Sequence, residues 1–165
     1  MSTQRSVVTV VALVLVVGLL GELGGGGAPA LAASPSLTIP ISGQVTLSSD
    51  VTLSPDTVTL MGLANISSDL LPGDATTPPT VLLSIGLLSG GGTGLGGTKY
   101  LIIAETQRVR FLNPSDAVEI TVPVYPLVPG GINKAQSALA SFSLSLTPTG
   151  QLNSVIGKLA TPHFE

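Results

Sequence analysis

The chain lacks cysteine and tryptophan altogether, has a single histidine, and carries charge on only 9% of its 165 residues. Each shortage excludes something. Without thiols there is no disulfide, thiolate metal site or lipid-modified cysteine, and the redox compartment leaves no trace. Soluble proteins usually carry charge on about 25% of their residues, so this exterior is expected to be nearly neutral and rich in Ser and Thr. The net charge is −3, and the basic residues stand singly apart from Arg108 and Arg110. Nucleic-acid binding needs clustered cations against phosphates, so that class is set aside. Catalytic parts are scarce as well. His163 is the only imidazole and no G-x-S-x-G accompanies it, whereas a Ser-His-Asp triad holds its imidazole inside a cleft. Aromatics are 3%, which leaves Tyr100, Tyr125, Phe111, Phe142 and Phe164 as the only rings for stacking a sugar.

What the chain does have is apolar. Hydrophobic residues make up 44%, enough to separate it from disordered sequences, which bury too little to fold. The length suits one domain with a real core. Residues 1–32 are of another kind. Behind Arg5 runs "SVVTVVALVLVVGLL", Ser6 to Leu20, the length of an export h-region and shorter than the roughly 20 residues of a membrane span. Ala28, Ala30 and Ala32 then offer the small residues a signal peptidase accepts. The expectation is a hydrophobic leader helix cut after Ala32, with a retained anchor as the alternative. The product is then secreted or at the cell surface, touching membrane only through the leader before cleavage.

From Ser34 onward the period is two. Leu37, Ile39 and Ile41 alternate with polar or turn-forming neighbours, as do Val45 and Leu47, Val51 and Leu53, and Val58 and Leu60. Alternation of this kind puts one set of side chains on a buried face and the other in water. Thr80–Leu88 and Lys99–Glu105 are apolar on both faces and are predicted to be central strands. Gln107, Val109 and Phe111 are expected on one face of a strand, with Arg108 and Arg110 on the other. Val118, Ile120, Val122 and Val124 alternate with Glu119 and Thr121, and Ala140, Phe142, Leu144 and Leu146 alternate with serines. Turns are expected at Ser48–Asp50, Ser54–Asp56, "SSDLLPGD" and Thr147–Gly150, with a helical turn only within Gly131–Ala140. Eight to ten short strands in one small domain predict an all-β fold, an antiparallel sandwich or jelly roll. The expected organisation is a strand over 33–43 followed by the sandwich over 44–165.

The most chemical-looking stretch is "SGGGTGLGGTK", Ser89–Lys99. From Gly92 it satisfies G-x-G-x-x-G. A phosphate loop of that kind opens a helix whose N-terminus meets the anion. Here "TKYLIIAE" follows, whose Tyr and paired Ile favour a strand. The stretch is therefore expected to be a glycine-rich loop between strands. Asp69 and Asp74, with loop carbonyls, are the candidate calcium ligands, since hard cations take oxygen donors. The alternative is solvated or turn-capping acids, and no other cofactor is indicated. Asn65 in "NIS" is the candidate glycosylation site, because Asn113 is followed by Pro114.

Antiparallel sheets have edge strands, which proteins guard with Lys, Pro, bulges or inward charges. This sequence has little Lys for the purpose. The segment with Leu37, Ile39 and Ile41 either folds into its own sheet or adds to a neighbour's. The second course is a head-to-tail contact that propagates as a filament. "NISSDLLPGD", Asn65–Asp74, resembles the early N-L-x-P-G-D-like turn of TasA-type matrix-fibre subunits and the related archaeal bundling pilins. The resemblance covers about ten residues, with Ser-Asp inserted. It implies a jelly-roll subunit joined to other copies by donor strands, with no catalytic residues. The expectation is thus a non-enzymatic extracellular structural protein that binds copies of itself. The alternative is a monomeric secreted module for carbohydrate or envelope lipid.

Overall fold

The structure, a computed structural model, describes residues 35–47 and 55–162. The expected leader, the Val51/Leu53 pair, the Ser48–Asp50 turn, His163 and Phe164 lie outside them. Eight strands follow in order: β1 (Ser36–Leu47), β2 (Asp56–Leu71), β3 (Thr80–Gly94), β4 (Lys99–Ile102), β5 (Ala104–Phe111), β6 (Ser115–Pro126), β7 (Gln136–Leu146) and β8 (Leu152–Ala160). A single 3-10 turn, Gly131–Lys134, precedes β7. Every ladder is antiparallel. The strands form one sheet in the order β1-β2-β3-β4-β6-β7-β8, with β5 paired to β3. The all-β expectation holds, in the form of an antiparallel sheet nearly closed on itself.

Alternation builds the core. Val118, Ile120, Val122 and Val124 of β6 point inward, as do Ala140, Phe142, Leu144 and Leu146 of β7; all are buried. Val81, Leu83, Ile85 and Leu87 of β3 join them. The opposite face of β3 is only half-buried, so its apolar run reflects a central position in the sheet and not cover on both sides. Burying Val, Leu and Ile side chains contributes roughly 1.5–3 kcal/mol each, and that term drives the closure.

Three expectations need correction. The strands are not all short, since β2 has 16 residues and β3 has 15. The turn expected over "SSDLLPGD" begins only at Pro72, because β2 continues to Leu71. Ser68 sits inward there, 3% exposed, and its hydroxyl accepts the Leu152 N–H at 3.1 Å. A hydroxyl satisfied in this way can occupy a core position. Third, the glycine-rich stretch is mostly strand. β3 runs through Gly90–Gly92 to Gly94, paired to β2 on one side and β4 on the other. Only 95–98 turns, as a hairpin: the Gly97 N–H donates to Gly94 O and the Gly94 N–H to Thr98 O, both at 2.9 Å. Gly97, at φ 82°, takes the left-handed position that follows such a turn and forms a bulge. The expectation of strands on both sides and no helix is met.

Two irregularities split the sheet. β3 has one residue more than β2 across Leu63/Ala64, where its Leu88 is skipped and left 63% exposed. Bulges bend and twist the strand that carries them. The second is Pro123. β4 and β6 pair at 102↔124, 101↔125 and 100↔126, and the Leu127 N–H donates to Lys99 O at 2.8 Å. Hydrogen-bonded pairs alternate along an antiparallel ladder, so the next would join Ile103 to Pro123. Proline has no N–H to give. The ladder stops, and β5 leaves with β3 while β6 stays with β7.

Candidate assembly surface

The sheet has two margins. At the first, β1 meets β8. Thr46 N–H donates to Thr161 Oγ1 at 2.9 Å, and a side chain on Gly43 would lie 1.8 Å from the Leu159 carbonyl oxygen. Ile41 packs beside Gly157. Residues 41, 43 and 46 thus meet 157, 159 and 161, so the strands run in the same direction in close contact but share no ladder. Glycine is the residue that lets the backbones come so near. Pro40 also fits here, because Thr46 N–H points toward β8 and even-numbered residues of β1 therefore face away from β2. Its missing N–H costs the β1–β2 ladder nothing.

β1 occupies its own chain's sheet, the first of the two courses open to it. It pairs with β2 over its full length, Ser36↔Ser67 to Leu47↔Asp56. Ile41 is 2% exposed, and Leu37 and Ile39 pack partly buried against the core.

At the second margin, β5 and β6 diverge. The Leu112 N–H donates to Pro79 O at 3.2 Å, so even-numbered residues of β5 bond to β3. By alternation, Glu105, Gln107, Val109 and Phe111 turn their N–H and C=O groups to the open side. The guanidinium of Arg108, at 3.3 Å, reaches one of these groups, the Gln107 carbonyl. The expected alternation is present, and its apolar side is the outer one. Val109 and Phe111 face outward, 60% and 66% exposed, while Arg108 and Arg110 stand opposite inward-facing Leu83 and Val81. The open margin admits water to that side, which is why charged residues fit there. Arg110 spans the margin to Asp116, with Nε to Oδ2 and Nη2 to Oδ1 both at 2.8 Å. Asp116 also accepts the Ala117 N–H at 2.9 Å. The Arg110 hydrogen bonds hold the Asp116 carboxyl below the usual range, against the opposing effect of burial.

The other candidates are dispersed. Asp69 lies in β2, paired with Leu82. Asp74 is in the loop after β2, where its Oδ1 accepts the Thr76 N–H, the Thr76 hydroxyl and the Thr77 N–H, each at 2.8 Å. These bonds from Thr76 and Thr77 lower its pKa from 3.8 to about 2. They give the Asp74 carboxylate a turn-forming role. Among the described residues no group of three or more His, Asp or Glu stands ready for a metal. Asn65 is within β2, and its Nδ2 donates to Thr38 Oγ1 at 3.0 Å across the ladder. Of the rings, Phe142 and Tyr100 are buried and Phe111 is exposed.

Sequence reasoning missed what two residues do, Pro123 and Asp56, the latter read only as part of a turn. Pro123 carried a signal, since a proline inside a strand pattern marks an unpaired stretch. Asp56 carried none. Its Oδ1 accepts the Leu95 N–H at 2.9 Å and its Oδ2 the Tyr100 hydroxyl at 3.0 Å, latching the glycine hairpin. Burial and the Asp56 carboxylate together push the Tyr100 hydroxyl up from 10.0. Compared with known proteins, the chain matches no family model, no curated protein and no solved structure.

Proposed function

We propose that the chain is a non-enzymatic extracellular structural protein, a filament or surface-layer subunit that joins copies of itself by β-strand complementation. In this reading the fold is a sandwich, β1, β2, β3 and β5 facing β6, β7 and β8. What supports it is the margin of β5, where four alternate residues turn backbone groups outward with no strand beside them among the described residues. A strand from a second copy would pair those groups and cover Val109 and Phe111. Arg108 and Arg110 on the inner side limit which strands fit, because a partner cation opposite either is repelled. A second route is exchange of β1 between copies, favoured by its lack of a ladder with β8. Exchange keeps Leu37, Ile39 and Ile41 in the same contacts while linking chains.

The test is size-exclusion chromatography and negative-stain microscopy of Ala33–Glu165, the compact unit that holds all eight strands. Gln107→Pro removes an N–H that faces away from β3, so the chain's own ladder is spared. Polymers from the parent and monomers from the variant are expected. A parent that stays monomeric at high concentration defeats the reading. Unchanged polymers from the variant move the joint from β5 to β1.

A further inference from the structure

The open edge of β5 offers the backbone groups of alternate residues, Glu105, Gln107, Val109 and Phe111. Three large apolar residues stand on its outer side: Ile103, just before the strand, is 53% exposed, Val109 60% and Phe111 66%. Arg108 and Arg110 stand on the inner side, preceded there by the uncharged Ala104 and Thr106. Chain outside the described residues joins β1, β2 and β8, and none of these borders β5.

An antiparallel copy of β5 can meet this edge in only a few registers, because each hydrogen-bonded pair must join odd-numbered residues on both sides. The residue on the two-fold axis identifies each register, and like charges directly opposite are destabilising. With Arg108 on the axis, it faces Arg108 of the second copy. With Val109 there, Arg108 faces Arg110 twice, and with Glu105 there the two Glu105 carboxylates face each other. With Thr106 there, Arg110 and Phe111 fall opposite β4, whose edge β6 already holds. With Gln107 on the axis, no like charges meet. Arg108 then faces Thr106 of the second copy, Glu105 faces Val109, and Phe111 faces Ile103. Arg110 faces Ala104, which is small enough to leave the bridge to Asp116 in place.

We infer that β5 pairs with β5 of a second copy, antiparallel, about a two-fold axis through Gln107. The inference rests on the reading that this edge takes a strand from a copy, and adds which strand and which register. The runs β1-β2-β3-β5 of the two copies become one sheet. Phe111 and Ile103 cover each other at both ends of the joint, and the two Gln107 side chains meet at its middle. A two-fold contact closes on itself. It therefore makes the pair from which a longer assembly is built, and growth of a polymer falls to exchange of β1.

The chain has no cysteine, so an introduced thiol reports one position, and only a residue on the axis meets its own copy. In Ala33–Glu165, Gln107→Cys sets the two Cα atoms about 5.5 Å apart, within reach of a disulfide. Val109→Cys and Glu105→Cys each set them about 14 Å apart. Under mild oxidation Gln107→Cys should run mostly as a covalent dimer, while the other two stay single. Mixed together, those two should form a heterodimer. In the parent, the amides of Glu105, Gln107 and Val109 should exchange more slowly as protein concentration rises. Val109→Cys or Glu105→Cys linking alone as readily as Gln107→Cys overturns the inference. If no variant links while the parent still forms polymers, β5 does not pair with itself and the reading of self-assembly stands without it. A parent that stays monomeric, with those amides indifferent to concentration, sinks both.

Discussion

The β1–β8 and β5–β6 margins solve the same problem in opposite ways. Both bring together strands that share no ladder. At β1–β8 the gap is sealed by contact: Gly43 admits the Leu159 carbonyl, Ile41 lies beside Gly157, and Thr46 reaches Thr161. At β5–β6 the gap is held by charge, the Arg110–Asp116 pair, with the arginine side chain 44% exposed and the aspartate 9%. A margin sealed by packing belongs to the core and should fail with it. One spanned by a partly solvated ion pair can open, or be covered, at little cost.

The largest expected effect follows from the sealed margin. Removing Ser36–Ser42 takes Leu37, Ile39 and Ile41 from the core. Even Ile41→Ala alone should cost about 2–5 kcal/mol, against a total of about 5–15 for an ordinary domain. The deleted chain should show no cooperative thermal transition, and a synthetic peptide of Ser36–Leu47 should restore one. A deleted chain that melts like the parent would mean that β1 is not part of this core. Next comes Gly43→Val, which places carbon against the Leu159 backbone and should cost about 1–3 kcal/mol by denaturant titration. Val109→Lys at the open margin should change stability by about 0.5 kcal/mol or less. Equal losses at the two positions would erase the distinction between the margins.

How much of this was legible follows the same division. β7 could be read directly, because serines on a wet face alternate with Ala140, Phe142, Leu144 and Leu146 on a dry one. β2 could not be read to its end, because Ser68 at an inward position and Asp69 beside it look like turn residues until Leu152 supplies the inward hydroxyl with a donor. The faces of β5 were visible, but not which one met the core, since that depends on water entering a gap only the fold defines. For Leu37, Ile39 and Ile41 the alternation was plain while the host sheet was not. A strand makes the same contacts in its own sheet as in a copy's, so periodicity alone cannot choose.

Pro123→Val sharpens the account of the split. It returns an N–H where the register calls for one, and a net hydrogen bond to Ile103 is worth about 0.5–1.5 kcal/mol. Amide exchange at position 123 should slow, and polymers that depend on an open β5 should become fewer. If the new amide exchanges as fast as those of exposed loops, the bulge at Leu88 separates the strands without the proline's help.

The smallest effect belongs to the ion pair, and its sign is set by the carboxylate. Arg110 lowers the Asp116 pKa in the folded chain, so the stability it contributes is complete above the unfolded value of about 3.9 and is lost as pH falls through the lower folded one. Asp74 behaves likewise and loses its contribution only as pH falls through about 2. With Arg110 nearly half exposed, screening should hold the pair to about 1 kcal/mol or less. Asp116→Asn should therefore lower stability modestly at neutral pH, and less as the parent's own carboxylate is protonated. Asp74 should supply part of the acid dependence left in that variant, and adding Asp74→Asn should flatten it further. If Asp116→Asn costs as much in acid as at neutral pH, the margin is held by something other than this charge pair, and the contrast with the packed seam loses its electrostatic half.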